Sequence, residues 1–223
     1  MGTAYNASVV TDGLVLCLDA ANKKSYPGTG NNVYNLTGNS LNITFYNTAA
    51  ISEGAFDFTA LDTDGLTIAG NDYEGLNDFT MECLFKINGT HLHYDGALMT
   101  SGNWNSSHWS LSVIQDNSGI RTRNPALTWI YAFSVGSWYH VIYRRSGTTL
   151  SCFINGIKQA DQTSASNIPL TSDATNTAIG RETYAGGYFN LNGKIATCRI
   201  YNRALSDSEA KQNFNALRGR YGI

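Results

Sequence analysis

The stretch Trp138–Gly156 reads WYHVIYRRSGTTLSCFING. Ser137–Arg145 forms one strand, rich in aromatic and β-branched residues. Ser146-Gly147 supplies a turn. On the next strand Leu150, Cys152 and Ile154 recur at alternate positions and so point to one side. Asn155-Gly156 then predicts a two-residue type I′ hairpin, because both central positions of that turn need positive φ. Two alternating strands closed by two turns make this a piece of antiparallel sheet.

The same pattern extends in both directions. Gly13–Asp19, Ala55–Phe58, Gly65–Ile68, Phe79–Ile87, Trp109–Ile114 and Thr128–Phe133 read as strands. Within Phe79–Ile87 the side chains of Met81, Cys83, Phe85 and Ile87 share one face. Asn192-Gly193 predicts a second Asn-Gly hairpin before Lys194–Tyr201, and Trp138 is assigned to the core. A single helix is predicted, over 206–218. Ser206-Asp-Ser-Glu209 is a capping box, Leu205 and Ala210 hold the staple positions, and Ala210, Phe214 and Leu217 form a stripe. Gly219 is its expected stop. One late helix after many strands argues against an α/β fold. It favours an all-β, two-sheet antiparallel jelly-roll sandwich with one short C-terminal helix.

The chain has 223 residues, which suits one large sandwich over 13–223. Residues 1–12 are small and polar and read as an N-terminal arm that orders on a neighbour. Twenty-two glycines against three prolines fit many strands joined by Gly/Asn turns. Fifteen basic and 17 acidic residues leave a net charge of −2, so no basic field points to nucleic acid. No apolar run reaches membrane length, and Met1–Val10 lacks the features of a signal peptide. Cys17, Cys83, Cys152 and Cys198 each sit in an apolar run and are expected to be reduced, buried thiols. The Asn-x-Ser/Thr triplets at Asn6, Asn35, Asn42, Asn88 and Asn105 matter only on a secretory route.

The run Trp138-Tyr-His-Val141, Leu150–Phe153 and Ile154-Asn-Gly156 resembles the central hairpin of laminin G-like and pentraxin-like domains, members of the concanavalin A-like class. Gly193-Lys-Ile195 followed by Arg199–Ser206 resembles their last strand and exit, and Phe79–Lys86 the strand before their variable loops. The opening region Gly13–Pro27 and the closing region Ala216–Ile223 resemble laminin G-like virion proteins of tailed bacteriophages. That resemblance implies a capsid decoration or tail fibre subunit. Such a chain is made in the host cytoplasm and held on the virion by capsid or other virion proteins, as a homo-oligomer on the particle. The alternative is a carbohydrate-binding, lectin-like module that recognises a host glycan. Neither reading calls for nucleic acid or membrane.

Many concanavalin A-like relatives are glycoside hydrolases, which need two neighbouring carboxylates. Glu82 is isolated on its strand, and Asp57 has no acidic partner two or four residues on. No nucleophile elbow is present either, so the chain is expected not to be an enzyme and to need no cofactor, Ca²⁺ excepted. The resemblance brings Ca²⁺ to the sandwich rim, where Asp57, Asp62, Asp64 and Asp72 offer oxygens. Those aspartates read first as turn formers, since Ala196 and Thr197 stand where many relatives carry acids. His91, His93 and Asp95 would project to one side of a strand and could hold a divalent ion. The glycines around them favour a loop. Tyr94, Asn103, Trp104, Asn105 and Trp109 form the carbohydrate-binding candidates: aromatic faces stack on sugar rings, and amides bond hydroxyls. The competing reading buries Trp109 at the start of a core strand.

Overall fold

The computed structural model describes residues 8–58, 64–70, 75–91, 94–101, 109–123, 125–164, 176–182 and 189–223. In chain order the strands are β1 (Leu14–Asp19), β2 (Asn32–Val33), β3 (Asn42–Tyr46), β4 (Ala50–Ser52), β5 (Ala55–Phe58) and β6 (Gly65–Ala69). Then come β7 (Phe79–Ile87), β8 (Gly96–Ser101), β9 (Trp109–Val113), β10 (Gly119–Arg123), β11 (Leu127–Ile130) and β12 (Trp138–Ser146). The last are β13 (Thr149–Ile154), β14 (Ile157–Lys158), β15 (Gln162–Thr163), β16 (Asn176–Ile179) and β17 (Gly193–Tyr201), before the helix α1 (Asp207–Tyr221).

They form two antiparallel sheets, the sandwich with one C-terminal helix that the sequence predicts. The nine-stranded sheet runs β14-β13-β12-β7-β17-β5-β4, with β15 beside β13 and β1 beside β17. The eight-stranded sheet runs β11-β10-β9-β8-β16-β6-β3-β2. Met81, Cys83, Phe85 and Ile87 of β7 face the space between the sheets. They meet Met99, Leu111, Val113 and Ile120 of the second sheet in one continuous core. Each such side chain contributes about 1.5–3 kcal/mol when taken out of water. The four thiols are buried and unpaired.

The hairpin forms as read: Asn155 and Gly156 have φ of 49° and 74°. Gly156 is also a close-approach site, because a Cβ there would lie 2.5 Å from the Phe214 ring of α1. The helix begins at the capping box, where Ser206 Oγ accepts from Glu209 N–H and Glu209 accepts from Ser206 N–H.

Four expectations need correction. Gly219 does not stop the helix, which continues to Tyr221 and ends on Gly222 in the left-handed region. Its buried face is Ala210, Asn213 and Leu217, with Phe214 turned half outward against His140. Asn192-Gly193 is not a hairpin: Gly193 opens β17 and lies so near Lys86 O that a Cβ would sit 2.2 Å away. Trp138 lies outside the core. It is half-buried on the outer face of the nine-stranded sheet, between Lys86 and Tyr221.

Candidate functional site

Alternation on β8, β9 and β10 sends Thr100, Ser110, Ser112, Arg121 and Arg123 to the outer face of the eight-stranded sheet. The register sets Thr100 beside Ser110 and Ser110 beside Arg123 in one row, with Ser112 beside Arg121 in the next. Small hydroxyl side chains suit this face because other residues lie over them. Phe189 is buried there, and Thr100 Oγ1 donates to Arg181 O at 2.8 Å. Thr100, Ser110, Ser112, Arg123, Glu182 and Phe189 enclose a recess of about 10 Å³, the space of a single water.

At the edge of that recess Tyr94 stacks on Phe189 with ring centroids 5.1 Å apart and planes 20° from parallel. The Arg123 guanidinium lies 4.5 Å from the same Phe189 centroid. Tyr94 remains 54% exposed, so a hydrophobic face is held rigid in contact with solvent. Beside it, Arg121 Nη1 donates to both carboxylate oxygens of Asp95 at 2.9 and 2.8 Å, and Asp95 also accepts from Gln115 N–H. His91 packs beneath Gly96, where a Cβ would come within 2.3 Å of the imidazole. Its Nδ1 accepts from Asn192 N–H at 3.1 Å, and burial pushes its pKa down to about 4. The ring is therefore neutral at physiological pH, with its proton on Nε2.

The predicted site residues divide as follows. Tyr94 stands at the recess. Trp109 is withdrawn from the carbohydrate set, since its inward position on β9 buries it in the core. Asn103, Trp104, Asn105, Asp62, Asp72 and His93 lie outside the described residues. Asp57 pairs with Lys194 at 3.3 Å, and Asp64 accepts from Thr48 N–H and Oγ1 at 2.8 Å each. His91 and Asp95 are engaged separately, as above. Among the described residues no group of three or more His, Cys, Asp or Glu converges on one point. Arg123 and Phe189 had gone unread. The alternation Ser110-Leu-Ser112 and Arg121-Thr-Arg123 was the signal for the first, while Phe189 carries no local one.

A second polar cluster lies on the outer face of the other sheet, under α1. Glu82, which has no second carboxylate beside it among the described residues, is fully buried there. Arg199 Nη1 donates to its Oε1 at 2.6 Å, His140 Nε2 lies 3.0 Å from the same oxygen, and Asn213 Nδ2 donates to Oε2 at 2.7 Å. Burial alone would raise the Glu82 pKa. The Arg199 charge, with the hydrogen bonds of His140 and Asn213, outweighs it and holds the carboxyl at about 2. Asn213 Oδ1 accepts from Val10 N–H, and Tyr201 donates its hydroxyl to Val10 O. Residues 8–10 of the expected arm thus lie against the domain itself.

Comparison with known proteins places this geometry. Several solved structures are similar to the chain, three of which illustrate the range. A Trypanosoma rangeli sialidase in complex with sialic acid has a TM-score of 0.71 at 20% identity, covering 94% of this chain and 34% of the sialidase. The botulinum neurotoxin serotype D binding domain has a TM-score of 0.66 at 15% identity, covering 91% of this chain and 51% of its own. A botulinum neurotoxin type C structure, whose cell entry is described as dependent on interaction with two ganglioside molecules, has a TM-score of 0.66 at 14% identity, with 92% and 51% covered. The chain thus spans about a third of the sialidase and about half of each toxin chain. No curated protein sequence matches. The sialidase likeness corrects the expectation that the chain is not an enzyme: this fold occurs within an enzyme, so it is no argument against catalysis. Residues 59–211 match the Laminin_G_3 model, and the chain belongs to the concanavalin A-like lectin/glucanases superfamily.

Proposed function

We propose that the chain is a carbohydrate-binding module that takes a glycan at the Tyr94 end of the eight-stranded sheet. One observation carries the reading. A half-exposed tyrosine ring is fixed from behind by Phe189 and keeps a face in contact with solvent. An aromatic plane whose rotamer is already held loses little entropy when a sugar ring stacks on it. The superfamily, and the ganglioside dependence of the type C neurotoxin, favour this reading over a virion structural subunit. The latter rests on the resemblance of the opening and closing segments.

The test is a glycan array probed with the full chain, followed by titration calorimetry of the best ligand against Tyr94→Ala. The variant should fold normally and bind at least about tenfold more weakly, the loss of one stacked ring face. An array without ligands overturns the reading. Undiminished binding by Tyr94→Ala moves the site elsewhere.

A further inference from the structure

Three arginines stand on or beside the outer face of the eight-stranded sheet, and two of them are spent. Arg121 is held by Asp95. Arg181 donates to Glu182 O and Thr67 Oγ1, and its guanidinium lies 3.8 Å from the Tyr46 ring centroid. Arg123 differs. Among the described residues it has no hydrogen-bond acceptor and no carboxylate partner, only the ring of Phe189. A guanidinium carries five N–H donors in a fixed plane. Contact with an aromatic ring face satisfies none of those donors.

We propose that the glycan is acidic, its carboxylate received by Arg123 while Tyr94 stacks on a sugar ring. This rests on the glycan-binding reading above and sharpens it to a class of ligand. The fork of a guanidinium matches the two oxygens of a carboxylate, and charge assistance makes that pair stronger than hydroxyl contacts. Tyr94 and Arg123 both pack on the Phe189 ring, so the two groups belong to one side-chain cluster that an oligosaccharide of linked units would engage. The Ser110 and Ser112 hydroxyls line the water-sized recess beneath Arg123 and are buried, so the contact with the ligand falls to Arg123 and Tyr94. Glu182, the acid of the recess, is buried and already engaged within the protein. A neutral sugar would leave the five donors of Arg123 to water.

The experiment uses uronic-acid oligosaccharides, each paired with its carboxyl-reduced neutral form, titrated into the full chain by calorimetry. The acidic form should bind at least about tenfold more tightly, and Arg123→Gln should abolish that preference while leaving the neutral form within about twofold. Arg123→Lys keeps the charge but loses the planar fork, and should retain only part of the preference. It also serves if Arg123→Gln does not fold. Equal binding of both forms by the natural chain overturns the inference and leaves the glycan reading standing. Equal loss of both forms in the Arg123 variants makes Arg123 a structural residue and likewise overturns it. If neither form binds and the array is also empty, the glycan reading itself fails.

Discussion

Glu82 on the nine-stranded sheet and Arg123 on the eight-stranded sheet are both charged side chains at outward strand positions, yet among the described residues only Glu82 has hydrogen-bond and charge partners. Glu82 lies beneath α1, accepts from Arg199 and Asn213, and has His140 3.0 Å away. Arg123 lies in a half-open recess against one aromatic ring. The difference follows from what covers each face. A helix excludes water, so every polar group under it must be matched by protein, and an unmatched charge there would cost several kcal/mol. A face that water reaches can leave a donor open for a ligand. The lid, more than the residue type, separates the structural charge from the binding one.

The largest test of that contrast is Glu82→Ala. It leaves the Arg199 charge buried without its carboxylate and should destabilise the fold by about 3–5 kcal/mol in urea unfolding. Hydrogen exchange should show α1 and residues 8–10 opening first, since Asn213 ties both to Glu82. A loss below about 1 kcal/mol would show the sealed network to be dispensable and would break the comparison.

Acid titration comes next and separates the two faces by pH. Glu82 is held at about 2, below its ordinary 4.5. Its stabilisation is whole above about pH 4.5 and is lost as the pH falls toward 2, on the order of 3 kcal/mol. His91, near the open face, is pushed down to about 4 from 6.5. The unfolded chain takes up that proton first, so stability declines as the pH falls from about 6.5 to 4. His91→Gln should flatten the upper window and leave the lower, and Glu82→Gln should do the reverse. Both acid steps persisting in either variant, or the same window lost from both, would contradict the assignment.

Two smaller effects sharpen the boundary. Ser206→Ala removes the helix cap that seats the lid and should cost about 1 kcal/mol, without altering ligand affinity. Tyr94→Ala should lower the unfolding free energy by less than about 1 kcal/mol while it weakens glycan binding, because the ring is half-exposed and covers only one side of Phe189. A large stability loss in Tyr94→Ala would place the ring in the scaffold.

What could be read from the sequence was what is local. The capping box, the Asn155-Gly156 turn and the inward alternation of Met81, Cys83, Phe85 and Ile87 each depend on neighbours a few positions away, and each is found. Glu82 was illegible for the opposite reason. Its partners His140, Arg199 and Asn213 come from two other strands and the helix, brought together by a register that no local pattern specifies. The same limit misplaced Trp138. A tryptophan opening a strand looks like core, but its parity on β12 points it away from the other sheet and toward Tyr221. At the candidate site Tyr94 was legible as an aromatic in a polar loop. Phe189, nearly a hundred positions later, gave no sign that the two rings would stack.

The placement of β17 has a consequence for how the molecule is made. This strand is hydrogen-bonded to β7 along its length, to β5 at one end and to β1 at the other, where Leu14 meets Tyr201. The middle of the larger sheet is therefore synthesised after the strands that flank it. While a ribosome is still extending the chain, β7, β12 and β13 can pair, and β4 can pair with β5, but β7 and β5 each present a bare edge and β1 waits unpaired. Contacts so distant along the chain carry a large closure entropy and form slowly. An exposed strand edge in that interval is a template for the wrong partner. Arrival of Gly193–Tyr201 fills the gap and joins the first strand to the last in one step, and the helix that follows immediately covers the seam.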